Sequence, residues 1–314
     1  VGRETKRVLR PRTLAAAVLT AAVLAVVLVQ ARPGPVLDAL VEASPWWIAA
    51  AAAAALAFNT LQSAEVLRWC LRGFGVRIPY AKALAATAGN MAIKAALPAQ
   101  TGEIARVAWL QRSCGVEPLR STAAIASLLW FKVAALVAMA AAGLAAMAFE
   151  PRWLCTVVIL LAAGTACVPV VLLCTGRSSV RADAAGWRRV PAAAAAAVSS
   201  AEPLPLAAGA ALAAVSVGAE VAVFAMILVG LGGDADLPRI LAFVPLVILG
   251  AKVPLTILGL GTREALVVVL LAGSGSSATL AAAGLSFSAL EYLLPALAGL
   301  AFTWSYVRRI VGAG

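Results

Sequence analysis

The chain has 314 residues, is 63% hydrophobic and 12% charged, and carries a net charge of +11. Soluble domains carry about 25% charged residues, and several apolar runs here exceed the roughly 20 residues that cross a bilayer. A water-soluble fold is excluded. The basic residues gather in short clusters between apolar runs: Arg3 to Arg12; Arg68, Arg72 and Arg77; Arg106, Arg112 and Arg120; Arg177 to Arg189; Arg308 and Arg309. That is the distribution of cytoplasmic loops facing anionic lipid, so nucleic acid is not an expected partner. The five cysteines lack CxxC spacing and there is no histidine, which argues against a zinc or haem site. No cofactor or metal is expected.

In chain order, Leu14–Ala31 reads as a retained first span, broken by Pro33, Gly34 and Pro35, with Asp38 and Glu42 in the following loop. Trp46 and Trp47 open a second span that runs to about Trp69, as interfacial aromatics do. Glu65 and Arg68 share a helix face at its cytoplasmic end and read as an interfacial pair. Tyr80–Pro98 carries Lys82, Asn90 and Lys94, a poor independent span. If it crossed fully, Arg106, Arg112 and Arg120 would lie outside, against the charge rule. A re-entrant hairpin at about 80–112 keeps them inside, and broken backbone is tolerated at that depth when buried in protein or lining water.

Leu119–Phe149 then crosses outward, Glu150-Pro151-Arg152 turns, and Trp153–Cys174 returns. A basic linker, 176–200, separates a first membrane half (1–175) from a second (201–314). Leu204–Leu231 crosses outward. A second broken segment, about 237–272, enters and leaves on the outer side, and a final span from about Ala278 to Val307 returns to a basic carboxyl terminus. The expected fold is an all-α polytopic membrane protein with about six transmembrane helices and two re-entrant broken-helix hairpins in an inverted repeat. Both termini are expected in the cytoplasm, in a bacterial-type cytoplasmic membrane.

The charges within these apolar segments mark the candidate site, because charge at bilayer depth costs roughly 2.5–3.5 kcal/mol on insertion scales and persists where it is paired or lines a cavity. Around the first break, K-A-A-L-P-A-Q-T-G-E (Lys94 to Glu103) leaves a helix amino terminus beside Lys94, Gly102, Glu103 and Arg106. Free N–H groups and cations there suit phosphate; the bland alternative is a silent Glu103–Arg106 pair, with Lys94 lacking a local partner. Around the second, K-V-P-L-T-I-L-G-L-G-T-R-E (Lys252 to Glu264) places Gly259 and Gly261 in a tight turn before Arg263 and Glu264. A nucleotide-binding loop needs a strand before it and a lysine-serine/threonine end, and both are missing. Lys132 and Glu291 lie mid-span, and a pair between Lys132 and a glutamate of the other half is expected. Nothing here supports an enzyme: there is no nucleophile–base constellation and no paired aspartates for a metal.

Three stretches carry a resemblance: L-R-G-F-G-V-R-I-P-Y-A-K-A (Leu71–Ala83), L-P-A-Q-T-G-E-I-A-R (Leu97–Arg106) and L-G-L-G-T-R-E-A (Leu258–Ala265). They resemble the lysylphosphatidylglycerol synthase transmembrane, or flippase-like, family, the membrane half of the bacterial multiple peptide resistance factor, which also occurs as stand-alone proteins. The resemblance implies lipid translocation, with Gly102, Glu103, Arg106, Gly259, Gly261, Arg263 and Glu264 at the family's motif positions. One departure is Leu128–Leu136, where many members read like E-R-x-x-D and this chain places Lys132. That tilts the expected substrate toward an anionic lipid headgroup. The soluble synthase domain is missing from the sequence, so synthesis of aminoacylated lipid is not expected. The expected function is a flippase for a phospholipid or lipid-linked intermediate. The alternative is a non-transporting subunit that binds lipid or scaffolds a partner enzyme, and a homo-oligomer is compatible with either.

Overall fold

The structure, a computed structural model, describes residues 11–96, 101–147, 158, 201–252 and 259–311. Among these every regular element is helical. Helix α1 (Pro11–Ala31) stops at Arg32, whose φ of 60° lies in the left-handed region. Pro33 then starts α2 (Pro33–Val41), bent 80° from α1. This corrects the expected loop around Asp38: prolines disrupt a helix interior, but at the first turn the missing N–H has no partner to lose. Helix α3 (Pro45–Gly73) is 29 residues long and contains a π-helical stretch, Ala57–Gln62. Its leading Trp46 is exposed, as an interfacial aromatic would be.

Two shorter helices follow, α4 (Tyr80–Ala96) and α5 (Thr101–Cys114), then the long α6 (Pro118–Ala146). The second half contains α7 (Pro203–Gly230), α8 (Leu237–Ala251) and α9 (Thr262–Leu270). It closes with α10, which runs through Ser277–Ser288, a π-helical stretch at Ala289–Leu293, and Leu294–Val311. Four helices, α3, α6, α7 and α10, are long and apolar enough to cross a membrane, and the bent α1–α2 pair would make a fifth. The protein is therefore a multi-span helical membrane protein. The expected return span Trp153–Cys174, the Glu150-Pro151-Arg152 turn, the 176–200 linker, and Pro98 and Pro254 lie outside the described residues. The longest of the short helices, α4 with 17 residues, reaches about 26 Å at 1.5 Å per residue, less than the roughly 30 Å hydrocarbon layer.

Helices α3 and α7 run antiparallel and are tied at both ends in the same way. The Ser44 N–H, just before α3, donates to Gly230 O at the end of α7 (2.7 Å); the Glu202 N–H, just before α7, donates to Gly73 O at the end of α3 (2.8 Å). Glycine at both closing positions lets the chains touch: a Cβ on Gly230 would lie 2.9 Å from Trp47 Cβ, and one on Gly73 would lie 2.5 Å from Leu206 Cδ2. Packing between the halves is also reciprocal. Helix α4 lies along α10, and α8 lies along α6, where Gly143 meets the Ala242 backbone. Small residues permit such approach where no hydrophobic effect drives helices together.

Each short pair also closes on itself. Lys82 Nζ near the start of α4 donates to Ser113 O near the end of α5 (3.0 Å). The Asp234 N–H just before α8 donates to Ser274 O just after α9 (2.7 Å). The apolar interior falls into two clusters, and Lys132 lies on α6 between Leu128 of one and Leu136 of the other.

Candidate functional site

Three polar constellations lie among these helices. The first joins α4 to α5. Helix α5 begins at Thr101, so Glu103 falls in its first turn. Glu103 forms ion pairs with Lys94 and, at 3.2 Å, with Arg106 Nη1. Lys94 thus has a partner across the break, which corrects the expectation that it had none nearby. With its amide oxygen turned toward Arg106, Asn90 accepts from Nε (3.2 Å) and Nη2 (3.0 Å), while its nitrogen donates to Gly102 O (2.5 Å). Gly102 is required by crowding: a Cβ would run into the Lys94 side chain and come within 2.7 Å of the Asn90 side-chain amide.

The second constellation joins α9 to α10. Gly259 and Gly261 have φ of 73° and 85°, which a residue with a Cβ adopts only at a cost. A Cβ on Gly259 would also lie 2.7 Å from Ala251 O. The turn they make starts α9, and Glu264 closes it by accepting from the Gly261 N–H (2.5 Å). The positive end of this helix is therefore served by the protein's own carboxylate. Ser288 Oγ on α10 donates to Glu264 Oε1 (2.6 Å) and accepts from Arg263 Nη1 (2.7 Å). The Arg263 guanidinium lies 4.2 Å from the Tyr292 ring centroid, within the range of a cation–π contact. Arg263 and Glu264 are 1% and 0% exposed, and burial this complete is tolerable because both charges are hydrogen-bonded. Gly284 lets α10 come close enough, since a Cβ there would stand 3.1 Å from Glu264 Cα.

The third constellation sits between them and joins the halves. Lys132 Nζ on α6 pairs with Glu220 Oε1 on α7 at 3.3 Å. Glu291, 5% exposed, lies in the π-helical stretch of α10. Its backbone carbonyl accepts from Asn59 Nδ2 at 3.5 Å, and Asn59 lies in the π-helical stretch of α3. These groups share one electrostatic neighbourhood. Lys132 acts on Lys94 and Glu103 to one side and on Glu220 and Glu291 to the other, and Lys252 and Arg263 both act on Glu220. Lys252 follows the last residue of α8 and is exposed.

All eleven expected site residues, Lys94, Gly102, Glu103, Arg106, Lys132, Lys252, Gly259, Gly261, Arg263, Glu264 and Glu291, thus fall in or beside these constellations. Sequence reasoning missed Glu220. A lone glutamate in the middle of a 28-residue apolar helix was itself the signal. Asn59 and Ser288 gave none, because short polar residues are tolerated in spans, and Asn90 reads only as weakening its segment as a span. Glu65 and Arg68 pair at 3.1 Å, apart from the site.

Apolar spans with charge concentrated between them make this a polytopic helical membrane module. Residues 13–299 match the family described as the lysylphosphatidylglycerol synthase transmembrane region, and the chain belongs to that family. No curated protein sequence matches it. Among the described residues no group of three or more His, Cys, Asp or Glu could hold a metal ion.

Proposed function

We propose that this protein moves a lipid with an anionic headgroup between the leaflets of the cytoplasmic membrane, along the charged track from the α4–α5 break to the α9 turn. The observation that carries the reading is the concentration of paired charge between helices of both halves. Lys94, Glu103 and Arg106 gather in the first half, Lys132 and Glu220 pair between the halves, and Arg263 and Glu264 meet Ser288 in the second. Membership of the flippase-like family supports a lipid as the cargo. Cations in the track supply the attraction for phosphate, and its carboxylates keep the empty state near neutrality.

The arrangement favours an inverted repeat with two re-entrant hairpins. Helix starts in the second half, at 203, 237, 262 and 277, follow those in the first, at 45, 80, 101 and 118, in the same order and at nearly constant separation. Lys252 follows Lys94 by the same number of residues as Pro203 follows Pro45, and Glu291 follows Lys132 as Ser277 follows Pro118. Each short helix pair returns to the end where it began. Arg68, Arg72, Arg77, Arg112 and Arg120 flank the end where the α4–α5 pair opens, and Asp234 and Asp236 the end where the α8–α9 pair opens. That asymmetry supports a cytoplasmic α4–α5 opening. Inverted halves around a shared midplane site are a recurrent basis for alternating access.

The deciding experiment is flux of a fluorescent phosphatidylglycerol in vesicles carrying the purified protein, with phosphatidylcholine as the comparison. Faster movement of the anionic lipid supports the reading, and no movement of either overturns it. The second reading, a lipid-binding or enzyme-scaffolding subunit that does not transport, is favoured by how fully Glu103, Glu220 and Glu264 are matched by cations and donors. It predicts saturable binding without flux.

A further inference from the structure

We propose that Glu291 is a proton-binding site, loaded when an anion occupies the cations around Lys132, Lys252 and Arg263, so that a proton and an anionic headgroup move together. The inference rests on the translocation reading and deepens it by naming the ion that accompanies the lipid.

Glu291 differs from the other buried carboxylates. Glu103 holds Lys94 and Arg106, Glu220 holds Lys132, and Glu264 holds the Gly261 N–H and Ser288. Among the described residues, neither carboxyl oxygen of Glu291 is in an ion pair or makes a well-formed hydrogen bond; the neutral amide of Asn59 is the side-chain donor beside it, and the residue is only 5% exposed. An ionised carboxylate held by no cation is among the costliest groups to bury, whereas the neutral acid is tolerated. Intramembrane carboxylates of this kind serve as proton relays. The π-helical stretch that carries Glu291 adds to the case, because such single turns concentrate at functional sites.

The groups that face it come from several helices. Lys132 on α6, Glu220 on α7 and Arg263 on α9 all act on Glu291. From α3 it meets Asn59, while Glu65 and Arg68 of that helix hold each other. From α4, Lys94 is committed to Glu103 and Lys82 to Ser113 O. Lys132 is shared between two carboxylates, since it pairs with Glu220 and also acts on Glu291. A proton taken from water onto one Glu291 oxygen turns carboxylate to acid and leaves Lys132 to Glu220. The neighbourhood is then more positive by one charge and attracts an anion better. Linkage is reciprocal, so a bound anion favours the same proton.

Three measurements on the full chain in nanodiscs and vesicles test this. Infrared spectra over an acid-to-alkaline titration are expected to show the carbonyl stretch of a buried protonated carboxylic acid. That band is expected to vanish in Glu291→Gln, to shift in Glu291→Asp, and to persist in Glu220→Gln. Calorimetric titration with glycerol 1-phosphate, in two buffers of different ionisation heat, is expected to show uptake of about one proton per anion in the wild type and none in Glu291→Gln. In vesicles, a pH gradient is expected to change the rate of phosphatidylglycerol movement about fivefold or more, and Glu291→Gln removes that dependence. A band absent from the wild type, or proton uptake unchanged in Glu291→Gln, overturns the proton site. Lipid movement indifferent to the gradient overturns the coupling and leaves the translocation reading standing. Proton uptake and the band without any lipid movement support the proton site and overturn the translocation reading.

Discussion

Lys132 Nζ and Glu220 Oε1 lie 3.3 Å apart and join a span of the first half to a span of the second. Their side chains are 14% and 12% exposed, so each is held in place by its partner more than by solvent. Removing one leaves the other charged and unmatched, which in buried pairs costs about 3–5 kcal/mol.

Lys132→Ala is accordingly expected to lower the thermal stability of the purified protein more than the double variant Lys132→Ala with Glu220→Ala. A double-mutant cycle in a thermal shift assay measures it. Additive losses would mean that the two residues do not interact.

Arg263→Ala is expected to abolish lipid movement with the protein still inserted and monodisperse, as judged by flux and size-exclusion chromatography. Arg263→Lys is also expected to be weak. A lysine offers no planar fork to bridge Ser288 and lie over Tyr292. Normal flux in both variants would make the site structural.

Gly102→Ala places a methyl group against Asn90 and Lys94. Overpacking of this kind costs about 1–3 kcal/mol, and the strain falls on the Lys94–Glu103 pair. The expected outcome is a lower melting temperature together with reduced flux. Gly34→Ala serves as the control, because nothing lies within 4 Å of a Cβ there.

Cys114, the last residue of α5, is expected to react with an impermeant maleimide in inside-out vesicles and not in intact cells, once the other cysteines are replaced. Asp234→Cys in the same background is expected to label only from outside. Labelling of both from one side would remove the inverted repeat.

The sequence by itself determined the class of the molecule, its four long described spans, the positions of the two proline- and glycine-rich breaks and most of the charges among the helices. These are legible locally, since apolar length, proline and glycine each act on their own stretch of chain, and an isolated charge in an apolar run stands out without any partner. The 13–299 family match rests on the same linear information. Partnership was decided only by the tertiary structure. Lys94 finds Glu103 because α4 packs on α5, and Lys132 finds Glu220 because α6 packs on α7 from the other half. The roles of Ser288, Asn90 and Asn59 likewise appear only where helices meet. Small polar side chains acquire chemistry from the donors and acceptors brought to them, and α10 supplies those for Arg263 and Glu264 from 24 and 25 residues further along the chain.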